Sequence, residues 1–166
     1  INLRDIDVVR WSNDLRHDLE ILKLLLLMLK DITPEHDCKL QMLVSDLKQK
    51  FQHPINEGNK KVLIFTAFAD TAEYLYENIA PTILKKIGLH TGLVTGNGVS
   101  STVKGLRADF NTILTFFSPI SKEADKLFSS PMGGGREGAS IDVLIATDCI
   151  SEGQNLQDCD FLINYD

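Results

Sequence analysis

The sequence predicts an α/β domain built on a parallel sheet, preceded by an N-terminal helical hairpin. Three observations carry that expectation. From residue 61 onward, short apolar runs (61–66, 93–95, 142–146 and 161–164) alternate with stretches of helical period, the pattern of a sheet whose strands are joined by helical crossovers. Residues 1–60 show helical period only. Three of the apolar runs also end alike, in Thr66, Thr95 and Thr147, and each passes into a polar loop.

Each element has its own justification. Leu15, Leu19, Leu22, Leu26 and Leu29 repeat at alternating spacings of four and three, one face of a helix over 13–31 that Ser12 or Asn13 would cap. Leu25 and Met28 widen the stripe, which reads as core or as a docking surface. Thr33-Pro34-Glu35 is a second start signal, with a capping residue, a proline and an acid in order. The helix it opens should run to about Phe51 and bury Leu40, Leu43, Val44, Leu47 and Phe51. Residues 52–60 are a polar linker. Lys61–Thr66 is a strand, and 70–84 a helix with Ala72, Leu75, Tyr76 and Ile79 inward. Leu93–Thr95 is a strand closed by Gly96-Asn97-Gly98, and 100–117 is expected to be one helix, stopped by Ser118-Pro119. Residues 129–140 read as a mobile loop by composition. Asp142–Ala146 and Phe161–Asn164 complete the strands. The expected division is a helical lead-in over 1–60 and the α/β domain over 61–166.

Composition narrows the function. The chain has 166 residues, 43% of them hydrophobic, and its longest apolar run is six residues, Leu24 to Leu29. A membrane span needs about 18 or more. Charge and apolar character alternate over the first residues, which is unlike a signal peptide. The chain opens at Ile1 rather than Met, which suggests a segment of a longer protein. The three cysteines (38, 149, 159) fit no C-x-x-C or zinc spacing. They are expected to be small buried thiols in a reduced, cytosolic setting. The four histidines form no ligand cluster. Net charge is −6, and all of that excess lies in residues 136–166, where seven acids face the single base Arg136. Such a chain is a poor stand-alone binder of nucleic acid. The acidic edge is either solvated or turned toward basic residues elsewhere.

Most chemical motifs are missing. The phosphate loop G-x-x-x-x-G-K-[ST] occurs nowhere. Gly133-Gly134-Gly135-Arg136-Glu137-Gly138 leads into a strand rather than a helix and reads as a flexible loop. No G-x-S-x-G, H-E-x-x-H or EF-hand pattern occurs. Asp70 with Glu73, and Asp158 with Asp160, read as helix-surface and loop acids. Parallel strands would gather the three terminal threonines on one sheet edge, where hydroxyls and backbone N–H groups suit phosphates.

A-T-D-C-I-S-E-G-Q-N-L, Ala146 to Leu156, resembles motif V of superfamily-two helicases and translocases. Lys61–Phe68 resembles their motif IV, and Thr95-Gly96 falls where a further loop of such lobes lies. D-C-D-F-L-I-N-Y-D, Asp158 to Asp166, resembles the strand after motif V. The S-E-G-x-N-L-Q form, I-N-Y-D and F-S-P-I-S-K (Phe117–Lys122) are most similar to the bacterial Swi/Snf-like, RapA-type branch. The resemblance covers about two-thirds of the chain, Lys61 to Asp166.

It implies the second, RecA-like lobe of an ATP-driven motor. The first lobe of such motors holds ATP and Mg2+ through its phosphate loop and acids. The second completes the ATP site and grips nucleic acid, with DNA favoured over RNA. Carried over residue by residue, Thr66, Thr95, Gly96, Thr147, Asp148 and Ser151 would line the nucleic-acid track or couple it to ATP. Glu152, Gly153, Gln154 and Asn155 would lie nearest the nucleotide. Glu152 stands where the DEAD-box branch has arginine, so DEAD-box roles do not transfer directly. The family's arginine-finger motif would follow Asp166. An arginine finger contributes ~10³–10⁵ in rate, so the chain alone is expected not to hydrolyse ATP. The setting implied is the bacterial cytoplasm, with no membrane partner. Two alternatives stand beside this one. The first is a non-catalytic interaction module docking through the hairpin. The second, a flavodoxin-like ligand domain, lacks a glycine-rich turn after its first strand.

Overall fold

A computed structural model of the chain describes residues 7–122, 140–150 and 154–166. It divides into two compact units, Ile1–Gln41 and Met42–Asp166. The second unit holds a five-stranded sheet: β1 (Val62–Phe65), β2 (His90–Thr95), β3 (Gly98–Ser101), β4 (Ile141–Ala146) and β5 (Leu162–Asn164). Their order is β3-β2-β4-β1-β5. β2, β4, β1 and β5 run parallel, and β3 pairs antiparallel with β2. The α/β class expected from the alternation of elements is the observed one.

The parallel strands β1, β2 and β4 are buried because both faces are covered, while β5 at the sheet margin is largely exposed. α3 (Ala69–Ile87) lies against β2 and β4, and the eight-residue α4 (Phe110–Phe117) against β4, β2 and β3. Leu63, Val94, Leu144 and Ala146 pack with Ile113, Leu114 and Phe117 of α4. Since side chains alternate along a strand, Val62, Ile64, Leu93, Val143 and Ile145 point to the opposite face. There α3 buries Ala72, Leu75, Ile79, Ala80 and Ile83. Tyr76, expected inward, is half-buried. α3 ends on Gly88, whose φ of 77° and N–H bond to Leu84 O (3.1 Å) form a left-handed cap. That cap carries the helix three residues past its expected end. Leu43, Leu47 and Phe51, on the second half of α2 (Cys38–Gln52), are buried. The boundary between the two compact units, Gln41 to Met42, falls inside that helix.

Residues 100–117 depart most from expectation. They are not one helix. Gly96 and Asn97 form a two-residue turn that returns the chain as β3, pairing Thr95 with Gly98. Thr102 extends the hold, accepting from Thr91 N at 2.9 Å and donating its own N–H to Thr91 O at 3.0 Å. Gly105 adopts φ 70°, and α4 starts only after Asp109. The Asp109 carboxylate caps it, accepting from Thr112 N (3.0 Å) and Thr112 Oγ1 (2.7 Å). The apolar periodicity was real, but the Gly96-Asn97 turn pairs Gly98–Ser101 with β2 and so takes these residues out of the helix. So short a helix is marginal alone. The fully buried Ile113, Leu114 and Phe117 hold it, each burial contributing about 1.5–3 kcal/mol.

In the first unit, α1 (Val8–Leu29) begins five residues earlier than expected. Asp7, not Ser12 or Asn13, is its cap, accepting from Arg10 N at 3.0 Å. No residue of α1 is buried, and Leu15 and Leu22 are 51% and 61% exposed. The leucine stripe is thus not core among the described residues. Thr33-Pro34-Glu35 opens a single 3-10 turn, Pro34–His36, rather than the next helix. α2 is capped instead by Asp37, whose Oδ1 accepts from Leu40 N at 2.9 Å. Val44, expected to be buried, is half-buried. No helix among the described residues is long and apolar enough to cross a membrane. Of the loop read as mobile, residues 129–139 lie outside the described residues.

The tight face beneath α4 makes Gly92 informative. A Cβ there would meet Ile113 Cγ2 at 3.0 Å and two Ile141 carbons at 3.3 Å. Gly92→Ala is expected to lower unfolding free energy by about 1–3 kcal/mol through overpacking. Leu144→Ala should cost about 2–5 kcal/mol through a cavity. Urea denaturation monitored by circular dichroism measures both.

Candidate functional site at the carboxyl edge of the sheet

Strand register brings the three terminal threonines into line. Phe65, Ala146 and Val94 occupy one level across β1, β4 and β2. Thr66, Thr147 and Thr95 are each the next residue. Neighbouring strands lie about 4.8 Å apart, so the three ends form one short row. Backbone bonds lock it: Thr66 N donates to Ala146 O and Thr147 N to Val94 O, both at 3.1 Å.

Each threonine hydroxyl already has a partner, and all three residues are buried. Thr95 Oγ1 donates to Gly98 O at 3.3 Å and accepts from Asn97 N at 3.2 Å. Thr147 Oγ1 reaches Cys149 Sγ at 3.5 Å. Thr66 Oγ1 donates to Asp166 Oδ1 at 2.9 Å, and the other oxygen of that carboxylate accepts from Ala67 N. These hydroxyls brace their own loops, so exposed groups must supply most contacts to an outside ligand. Gly96 is exposed in the β2–β3 turn, and Asp148 is exposed at the start of a 3-10 turn, Asp148–Ile150. Phe68 stands at the same edge with 66% of its surface exposed.

Beyond β4 the loop is tied to the turn after α4. Lys122 Nζ donates to Gln154 Oε1 at 2.6 Å, and Asn155 Nδ2 reaches Ser121 O at 3.4 Å. The Asp158 carboxylate accepts from Ile120 N at 2.8 Å, Ser121 N at 2.9 Å and the Ser121 hydroxyl. Burial raises the Asp158 carboxyl, but those bonds outweigh it and hold it below the ordinary carboxylate value. Gln154 also borders a cleft of about 430 Å³ lined by Leu63, Phe65, Ile150, Leu156 and Phe161. Ser151, Glu152 and Gly153 lie outside the described residues. Of the residues expected near a nucleotide, Gln154 and Asn155 are therefore the two that can be located. Their amides suit hydrogen bonds to phosphate or sugar oxygens. Among the described residues no three His, Cys, Asp or Glu side chains gather as a metal site.

Other charged groups gather at the opposite, amino edge of the sheet, where the chain enters β1 and β5. Lys50 of α2 is buried, with a side chain 1% exposed, and pairs with Asp160 at 2.5 Å. Asn56 completes the shell, donating to Asp160 from its side chain at 2.8 Å and its backbone at 3.2 Å. Burial raises the Asp160 carboxyl, but Lys50 and Asn56 more than offset this and hold it low. At that same edge, Lys61 donates to Ser140 Oγ (3.1 Å) and Ile141 O (3.0 Å). Burial lowers its ammonium despite Asp142, Asp158 and Cys159 nearby, and burial raises Asp142.

Asp158 and Asp160 thus bind separate structural partners. None of the cysteines is fully buried, and Cys38 and Cys149 are exposed, a correction to the expected buried thiols. The sequence reading missed the Lys50–Asp160 pair and the seat of Asp166 on Thr66. These contacts span 110 and 100 residues, and no local pattern announces them. Comparison with protein-family models, with curated proteins and with solved structures finds no match.

The Lys50–Asp160 pair makes an asymmetric prediction. Asp160→Ala strands a buried ammonium and should cost about 3 kcal/mol or more. Lys50→Met leaves a carboxylate beside solvent and Asn56, and should cost less. Paired urea titrations at neutral pH test the order, and equal costs would contradict it. Acid adds a second check. Carboxyls held low in the folded state contribute stability above their unfolded value and lose it as pH falls through the lower folded value. Wild type should therefore lose stability below about pH 4, and a variant with Asp158→Asn and Asp160→Asn should lose less over that window.

Proposed function

We propose that the α/β unit is the second motor lobe of an ATP-dependent nucleic-acid helicase or translocase. The observation that carries this reading is the in-register row Thr95–Thr147–Thr66, which opens directly into the loop resembling motif V. Ligands of open α/β sheets bind outside the carboxyl ends of the strands, and this edge gathers the loops between strand and helix. Backbone contacts of this kind position a nucleic acid without reading its sequence.

In this reading Gly96, Asp148 and Ser151 face the nucleic-acid backbone, with Thr66, Thr95 and Thr147 shaping the loops beneath. Gln154 and Asn155, with Glu152 and Gly153, border the nucleotide. ATP supplies the phosphoryl group whose hydrolysis drives closure of the two lobes. The amides of Gln154 and Asn155 suit the hydrogen-bonding side of that site, and among the described residues no acidic triad suits its Mg2+ side. The metal and the phosphate loop are accordingly assigned to a partner lobe, DNA is favoured over RNA, and the compartment is assigned as the bacterial cytoplasm. Lys122 holds Gln154, and Asp158 holds the turn that carries Lys122. A shift of the loop is thereby transmitted to the segment after α4.

A second reading draws on α1. Its exposed leucines suit a non-catalytic module that captures a partner through the N-terminal helices. Deleting residues 1–41 would then abolish partner capture and leave any motor activity intact.

The deciding experiment measures ATP hydrolysis by this lobe joined to its partner lobe, with and without DNA or RNA. Hydrolysis should rise with nucleic acid and fall about tenfold or more in Asn155→Ala, roughly the loss of a 1.4 kcal/mol transition-state contact. No hydrolysis under any nucleic-acid condition sinks the proposal.

A further inference from the structure

The long helix α1 carries an apolar seam that the described residues leave uncovered. Val8, Leu15, Leu22 and Leu29 stand at intervals of seven, with Leu19 and Leu26 between them. Each of the six is half or more exposed. Alternating spacings of four and three place side chains at the two core positions of a coiled-coil heptad. The helix has 22 residues, enough for about three heptads. The back of α1 offers no competing stripe. It is apolar at Leu24 and Leu27, but His17 and Glu20 interrupt it.

The flanks of the seam say what covers it. In a parallel pair of such helices, a residue just before one core position meets the residue five further along on the other helix. That register sets Asp18 against Lys23 of a second copy, Trp11 against Arg16, and Leu25 against Lys30. The three contacts are an ion pair, a cation over an aromatic face and an aliphatic stem over a leucine. Two-fold symmetry makes each of them twice. An antiparallel pair would instead turn the flank of Arg16, Lys23 and Lys30 onto itself, cation against cation. Among the described residues, neither Asp18 nor Lys23 makes an ion pair within the chain, so both charges are left for a partner. The complementarity lies within one sequence, which points to a second copy rather than an unlike helix.

We propose that α1 pairs in parallel with α1 of a second copy of this chain, as a two-stranded coiled coil closed by the two Asp18–Lys23 pairs. This names a partner for the exposed leucines of the second reading above, and it needs neither ATP nor nucleic acid. The seam buries the leucines, and the charged flanks fix direction and register. The α/β unit of each copy takes no part in the contact.

Sedimentation equilibrium of the chain as it stands tests the proposal. Wild type should have twice the monomer mass at micromolar concentration and dissociate on dilution. Leu19→Asp puts two charges inside the seam and should weaken association about a hundredfold or more, with the melting of the α/β unit unchanged. Lys23→Glu and Asp18→Lys each turn two attractions into repulsions, and each should weaken association about tenfold. Combining them restores both pairs with the signs exchanged and should recover the wild-type affinity. If Leu19→Asp fails to fold, the charge exchange on the helix surface decides alone. A monomer at every concentration, an assembly larger than a dimer, or a dimer indifferent to Leu19→Asp overturns the proposal. So does a combined variant that does not recover, or tighter association in Lys23→Glu, the result an antiparallel seam would give. A monomeric chain leaves the motor reading standing, and joined lobes without ATP hydrolysis leave the dimer standing.

Discussion

The parallel register of β2, β4 and β1 is the constraint on which the rest depends. It sets three strand ends at one level and fixes where each following loop begins. Thr66 N and Thr147 N both donate across to the neighbouring strand, so the ends cannot slide independently. A slip of one residue would turn every side chain to the other face. It would expose Leu63 and Leu144 from beneath α4 and carry the threonines out of line. Core packing and edge geometry are therefore one requirement, met by the same strands.

At both edges of the sheet, much of the polar chemistry is internal. Asp158 gathers the turn after α4, Asp160 neutralises Lys50, and Asp166 fills the seat at Thr66. Three of the seven acids in the last 31 residues are thereby accounted for by contacts within the α/β unit. The acidic excess that looked like a partner-facing edge is in part an internal scaffold. What faces outward at the carboxyl edge among the described residues includes Gly96, Phe68 and Asp148.

The sequence was most legible where a local pattern and a buried environment agreed. Val62–Phe65 and Ile141–Ala146 announce themselves as short apolar runs because parallel strands are covered on both faces. It failed where two local signals competed. Apolar period carried the expected helix back to Ser100, while Asn97-Gly98 and the Ser-Ser-Thr run that follows made a hairpin. It failed again on helix starts, where Asp7 and Asp37 capped in place of Ser12 and Thr33, since any of these residues can cap and only context selects one. The candidate row of threonines was visible as three similar strand endings. Its partners were not, because Lys50–Asp160 and Thr66–Asp166 join residues a hundred or more apart. The leucines of α1 were plain as a stripe, but a stripe does not say what it faces.

The central proposal is that nucleic acid meets this chain at the carboxyl edge of the sheet. Amide hydrogen exchange with and without a single-stranded oligonucleotide tests it most directly. Protection should rise at Ala67 and Phe68, across Gly96 and Asn97, and over 148–150, with no change at the opposite edge around Lys61, His90 and Ser140. Protection confined to that opposite edge or to α1, with the threonine row unaltered, would contradict it.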